Sequence, residues 1–211
     1  MKVAGVDLAG SPTRPTGFCI LDMGLYAKTK LLYKDEEIVN EILAVKPTIV
    51  SIDAPLALPR GRCCLKDDCQ CRKAGHLREC DKVLLKLKIK FFPLTLGPMR
   101  KLTLRGINLT KILSQKGFKV IESFPNSIKI ILGFPGKKEG LEKLRKALID
   151  YGIKGDINKK KITEHELDAI LSALVGKLYL EGKAVEIGDP DEALMVIPNP
   201  KIYNYLKGNL I

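Results

Sequence analysis

Apolar positions along the chain change rhythm several times, and each change marks an element. Residues 2–9, KVAGVDLA, are short, apolar and β-branched, and Gly10 with the SPTRPT stretch stops them, which predicts a buried first strand and a turn. Residues 17–22 and 28–33 follow at hairpin spacing, so the first three strands should form an antiparallel meander. In DEEIVNEILAVKP, Ile38, Val39, Ile42, Leu43 and Val45 recur at helical spacing behind an acidic first turn, and Pro47 stops the helix. TIVSIDAP then reads as a strand covered on both faces.

The pattern dissolves between residues 56 and 92, a Cys-rich insertion within a domain spanning 1–211. Residues 102–116 predict a helix weakened by Gly106, KVIESFP a further buried strand, and Leu141, Leu144, Leu148 and Tyr151 an amphipathic helix. Thr163 and Glu166 form a capping box for a last helix whose apolar stripe is Leu167, Ile170, Leu171, Leu174, Val175 and Leu178. AVEIGDPDEALMVIP predicts two short strands around an Asp-Pro turn. Three antiparallel strands followed by helix, strand, helix, strand and helices is the order of the ribonuclease H fold. The expected architecture is therefore α/β, a mixed five-stranded sheet flanked by helices.

Composition narrows the function classes. With 45% hydrophobic residues the chain can bury a core, and its longest apolar runs, such as IKIILGF, are far shorter than the roughly 20 residues of a membrane helix. We expect a soluble, cytoplasmic protein. Its net charge of +12 favours an anionic partner such as DNA or RNA, although basic composition alone is weak evidence. Arg60, Arg62, Arg72, Lys73, Arg100, Lys101 and Arg105 are candidate phosphate contacts.

The informative residues are acids in apolar places. Asp7 ends the first strand and Asp53 the fourth, and in this strand order the two strands are neighbours. Two adjacent anions repel unless a cation lies between them, although each acid alone also fits as the cap of the turn that follows it. At about 100° per residue, Asp168 lies on the flank of the last helix's stripe, Glu164 falls within that stripe, and Glu166 points nearly opposite. His165 points to the side of Asp168, away from the core. Glu122 is a fourth acid inside an apolar strand.

VAGVDLAGS, SIDAP, RECD, VIESFP and HELDAILSAL followed by IGDPDEALMVIP together resemble the motif series of domain-of-unknown-function family 429, a group of predicted ribonuclease H-fold nucleases related to RuvC-type Holliday-junction resolvases. The resemblance implies a nuclease that hydrolyses nucleic-acid phosphodiesters with Mg or Mn, two ions being held by Asp7, Asp53 and Asp168. It makes His165 a ligand or proton-transfer group and Glu122 an active-site acid, and it matches Arg78 and Asp81 to an Arg/Asp pair. Glu192-Ala193 departs from the expected Glu-Gly. Two other classes compete: a non-catalytic nucleic-acid-binding module, and a phosphotransferase of the actin and sugar-kinase superfamily, whose strand-one Asp and Gly/Ser turn GVDLAGS resembles.

Five of six cysteines, Cys63, Cys64, Cys69, Cys71 and Cys80, lie within 18 residues together with His76. Four of these six side chains would close a tetrahedral zinc site, but the spacing lacks paired Cys-x-x-Cys knuckles, and disulfides or plain thiols remain open. Cys19, in an apolar strand, reads as a small core residue.

Overall fold

A computed structural model describes residues 1–159 and 161–203; the rest of the 1–211 span lies outside the described residues. Strands β1 (Lys2–Asp7), β2 (Thr16–Asp22) and β3 (Tyr26–Leu32) form the expected meander, and helix α1 (Asp35–Val45) leads into β4 (Ile49–Asp53), which pairs parallel to β1. Helices α2 (Glu79–Lys86) and α3 (Gly97–Gln115), then β5 (Val120–Ser123), α4 (Pro125–Leu132) and α5 (Leu141–Tyr151) follow. The chain continues through β6 (Lys154–Gly155), α6 (Glu164–Leu180), β7 (Ala184–Ile187) and β8 (Met195–Pro198).

The sheet has eight strands, not five, in the order β6-β3-β2-β1-β4-β5-β8-β7. Its centre, β3-β2-β1-β4-β5, is the expected one. The two C-terminal strands extend it because β8 adds parallel to β5 and β7 turns back on β8, while the two-residue β6 pairs with the β3 edge.

The two faces of the sheet bury separate cores. Val3, Cys19, Ile49 and Ile121 pack under α6. Val6, Phe18, Val50 and Ile52 pack with Ile38 and Ile42 of α1 and with Leu109 and Leu113 of α3. Helix α6 is buried almost all round from Glu166 to Leu178, wider than an amphipathic stripe, because it lies across β1, β2 and β4 with α4 beside it. Gly106 weakens the sequence signal of α3 for a packing reason: a Cβ there would lie 2.8 Å from the Pro55 carbonyl oxygen and 3.0 Å from the Ala54 Cβ.

Candidate active site and thiol cluster

Parallel register places Asp7 of β1 opposite Asp53 of β4, and Asp53 opposite Ser123 of β5, so one row crosses the C-terminal ends of three adjacent strands. In open α/β sheets this is where ligands bind. Helix α6 reaches the row through Gly17, the register partner of Asp7 on β2. A Cβ at Gly17 would lie 1.9 Å from the His165 carbonyl oxygen, so only glycine lets the start of α6 settle there.

That approach sets the remaining contacts. His165 Nδ1 lies 2.7 Å from Asp7 Oδ2, with the ring nearly half exposed. One turn on, Asp168 is buried and accepts a 2.6 Å hydrogen bond from Lys129 Nζ of α4, itself buried. The Asp53 side chain, partly buried, has no hydrogen-bond partner among the described residues. Burial first, and then the charges of Asp7 and Asp168, push its carboxyl well above the usual carboxylate range, against the opposing pull of Lys129. Burial likewise raises Asp168, again against Lys129, and the bond to Asp7 raises His165. The Ser123 hydroxyl at the end of the row is buried without a partner among the described residues.

Glu122 sits elsewhere. It pairs in register with Ile52, on the opposite pleat from Asp53, and its carboxylate is fully committed. Arg78 donates from both terminal nitrogens, at 2.7 Å to Oε2 and 2.6 Å to Oε1, and the Leu56 amide adds a 2.8 Å bond. Asp81 receives the Arg78 amide at 2.9 Å. Glu122, Arg78 and Asp81 are therefore a buried tie between the insertion and β5, and Glu122 stands apart from the Asp7–Asp53 row. Glu192, to which the sequence gives no role, makes a second tie by accepting the Arg60 and Glu79 amides at 2.6 Å each. The helical-wheel reading of Glu164 and Glu166 reverses: Glu166 is buried, held by Thr163 and by the Thr29 hydroxyl at 2.7 Å, whereas Glu164 faces out and pairs with Lys137. The cause is Thr29 of β3, which offers a buried hydroxyl beneath a helix covered on nearly every side.

The arginines divide in the same way. Arg62 and Arg105 are buried and donate to backbone carbonyls, Arg62 to Cys64 and Gly75 and Arg105 to Ala9 and Tyr33, with Asp35 as a further Arg105 partner. They belong to the framework rather than to an exposed binding face. Arg60 pairs with Asp189 and Asp191, Arg100 with Asp67, and Arg72 with the Asp67 carbonyl. Lys73 and Lys101 are exposed with no bonded partner among the described residues.

In the insertion the ligand atoms of Cys63, Cys64, Cys69 and Cys71 all lie within 4.8 Å of one another, with Cys63 Sγ 3.7 Å from Cys69 Sγ and Cys64 Sγ 3.6 Å from Cys71 Sγ. Cys80 and His76 are outside this group: Cys80 is buried at the start of α2, and His76 Nδ1 lies 3.0 Å from the Thr95 hydroxyl. Hydrogen bonds to Cys71 and Cys69 push the Cys63 thiol up to about 12. At Cys71 burial opposes ionisation, but bonds from the Cys63 and Cys64 backbone and the neighbouring thiols outweigh it and bring the thiol down to about 6. Cys19 is fully buried, as a core residue should be.

No protein-family profile matches this chain, and no curated protein matches it in sequence. Solved structures do match. Thermus thermophilus RuvC in complex with a Holliday-junction substrate aligns with a TM-score of 0.51 at 13% identity, over 86% of this chain and 97% of that one. A second Thermus thermophilus RuvC structure aligns with a TM-score of 0.50, at the same identity and coverage. Membership of domain-of-unknown-function family 429 gains no support from these comparisons; the likeness is to RuvC, a nuclease of ribonuclease H-like fold, and what it shows is the fold.

Proposed function

We propose that the chain is a divalent-metal-dependent nuclease acting on DNA or RNA phosphodiesters, with the Asp7–Asp53 row as its centre. The observation that carries this reading is Asp53: a partly buried carboxyl at a parallel strand end, set beside two other acids, its side chain lacking a hydrogen-bond partner among the described residues. No side chain bonds it as Arg78 bonds Glu122, and two further acids stand beside it, so the arrangement suits a cation. The unpartnered Ser123 hydroxyl in the same row fits this too.

Asp7 and Asp53 would hold Mg or Mn, hard cations that prefer oxygen. Bound there, such an ion supplies Lewis-acid polarisation of the phosphate and lowers the pKa of a bound water. His165, with Nδ1 on Asp7, keeps Nε2 for moving a proton at the attacking or leaving oxygen. Lys73 and Lys101 remain candidate backbone contacts. Cleavage assays over a panel of four-way junctions, duplexes and single strands of DNA and RNA, with Mg or Mn, test the reading. Metal-dependent cleavage by the wild type that Asp53→Asn abolishes is expected. Tight nucleic-acid binding with neither metal binding nor cleavage would favour the non-catalytic module.

The insertion supports a second proposal, a structural zinc on Cys63, Cys64, Cys69 and Cys71. A tetrahedron of four thiolates about 2.3 Å from zinc has S···S edges of about 3.8 Å, close to the 3.6 and 3.7 Å seen, whereas a disulfide needs about 2.05 Å. Elemental analysis of purified protein should find one zinc per chain, lost on Cys64→Ser/Cys71→Ser. Metal-free protein without titratable thiols in this segment would show disulfides instead.

A further inference from the structure

We infer that Lys129 is a resident cation of the acid site, standing at Asp168 in the place of a second divalent ion, so that the site takes one divalent ion rather than two. This rests on the reading of Asp7 and Asp53 as metal ligands.

Helix α4 exists to carry a buried face. Pro125 starts it, Gly133 closes it in the left-handed conformation, and Ser127, Ile128, Lys129 and Ile131 turn inward. Four of its eight residues are Ile or Leu, and a lysine on the same buried face forfeits hydration that only a fixed counter-charge restores. That counter-charge is Asp168, 2.6 Å from Nζ; the two side chains are 7% and 12% exposed. The ammonium also acts beyond its partner, opposing the charge of Asp7 and Asp168 on Asp53.

Charge and geometry agree. Three carboxylates, Asp7, Asp53 and Asp168, are balanced by one divalent ion and one ammonium, whereas two divalent ions beside the ammonium leave an excess of two positive charges. Among the described residues the four thiols are the only group of three or more His, Cys, Asp or Glu whose ligand atoms all close to within 4.8 Å. The three acids do not converge in that way with Lys129 bonded to one of them. One ligand position is thus filled by a side chain that cannot dissociate, and a single ion has Asp7 and Asp53 to itself.

Counting bound Mn by electron paramagnetic resonance and calorimetry on the full chain decides this, because thiolates bind Mn weakly and the count reports the acid site. The wild type should bind one Mn per chain. Lys129→Met should bind two, the first at least tenfold more tightly, and Lys129→Arg should keep the count at one because it keeps the charge. Two Mn in the wild type, with exchange coupling between them, would overturn the inference, as would an unchanged count of one in folded Lys129→Met. Should Lys129→Met not fold, the wild-type count and Lys129→Gln decide on the same terms. Absence of Mn from wild type and variants alike would overturn the nuclease reading itself, an outcome distinct from either of the others.

Discussion

Asp53, partly buried, and Glu122, fully buried, are acids one register position apart on neighbouring strands, and the protein treats them in opposite ways. Glu122, on the α3 side of the sheet, receives both terminal nitrogens of Arg78 and the Leu56 amide. Asp53, on the α6 side, faces Asp7 across the strands and has Asp168 nearby, with no hydrogen bond among the described residues. One face of this sheet end is a neutralised anchor for the insertion, and the other keeps its negative charge concentrated. An acid in an apolar strand is therefore not by itself a functional sign; the distinguishing feature is whether the fold has given it a cation.

The largest effect should come from breaking the anchored side. Glu122→Gln leaves the buried Arg78 guanidinium without its counter-charge and should destabilise the protein by about 3–5 kcal/mol, as loss of one partner of a buried pair does. At about 2–4 °C per kcal/mol for a chain of this size, thermal melts would show a drop on the order of 10 °C. A drop as small as that of an exposed substitution would mean that the two faces do not differ as described.

Much of the contrast was legible in the sequence, but not all of it. Asp7 and Asp53 could be found because β-strand endings and strand order follow from short apolar runs and turn residues, and register then brings the two acids together. The partner of Glu122 could not be found, since Arg78 lies 44 residues away in the segment where the hydrophobic pattern dissolves. Lys129 was hidden by its company: α4 has only eight residues, and PNSIKIIL reads as an apolar run with one stray lysine. Glu166 was placed outward because the wheel assumes one buried stripe, and α6 is buried nearly all round. The extension of the sheet from five strands to eight depended on pairings of two to four residues at its edges, too short for periodicity to assign.

pH should separate the two acids next. The Asp53 carboxyl is raised, so the folded state holds its proton more tightly than the unfolded chain does. That term costs apo stability as pH rises above the ordinary carboxylate range, in full above the raised value, and the cost is gone once pH falls back below the ordinary range. Asp53→Asn removes the term, so the variant's melting advantage at neutral pH should close on acidification. His165 has the same sign of pH dependence but as a gain rather than a cost: raised by its bond to Asp7, it contributes stability below its ordinary value and loses it as pH rises through the raised one. Mn affinity at Asp7 should accordingly increase over that rise, as the imidazolium gives up its proton. Melts and Mn titrations across pH 5 to 8.5 check both signs, and a gap between variant and wild type that is flat with pH would remove the strain assigned to Asp53.

A smaller effect tests the second tie of the insertion. Glu192 holds the Arg60 and Glu79 amides, and the next residue, Ala193, sits at φ 60°, a conformation that favours glycine. Ala193→Gly should therefore stabilise the protein by about 1 kcal/mol, with metal binding unchanged. A loss of stability would show that the Ala193 methyl contributes packing that outweighs the backbone cost.

The central claim is that Asp53 is held for a cation and not for the fold. Calorimetric Mn titration of the apo protein and of Asp53→Asn, with a thermal melt of each, tests it most directly. The account predicts that Asp53→Asn loses Mn binding at the acid site while its apo melting temperature is equal to or above that of the wild type. Equal Mn affinity in both proteins, with a lower melting temperature in the variant, would contradict it and leave Asp53 a structural cap like any other.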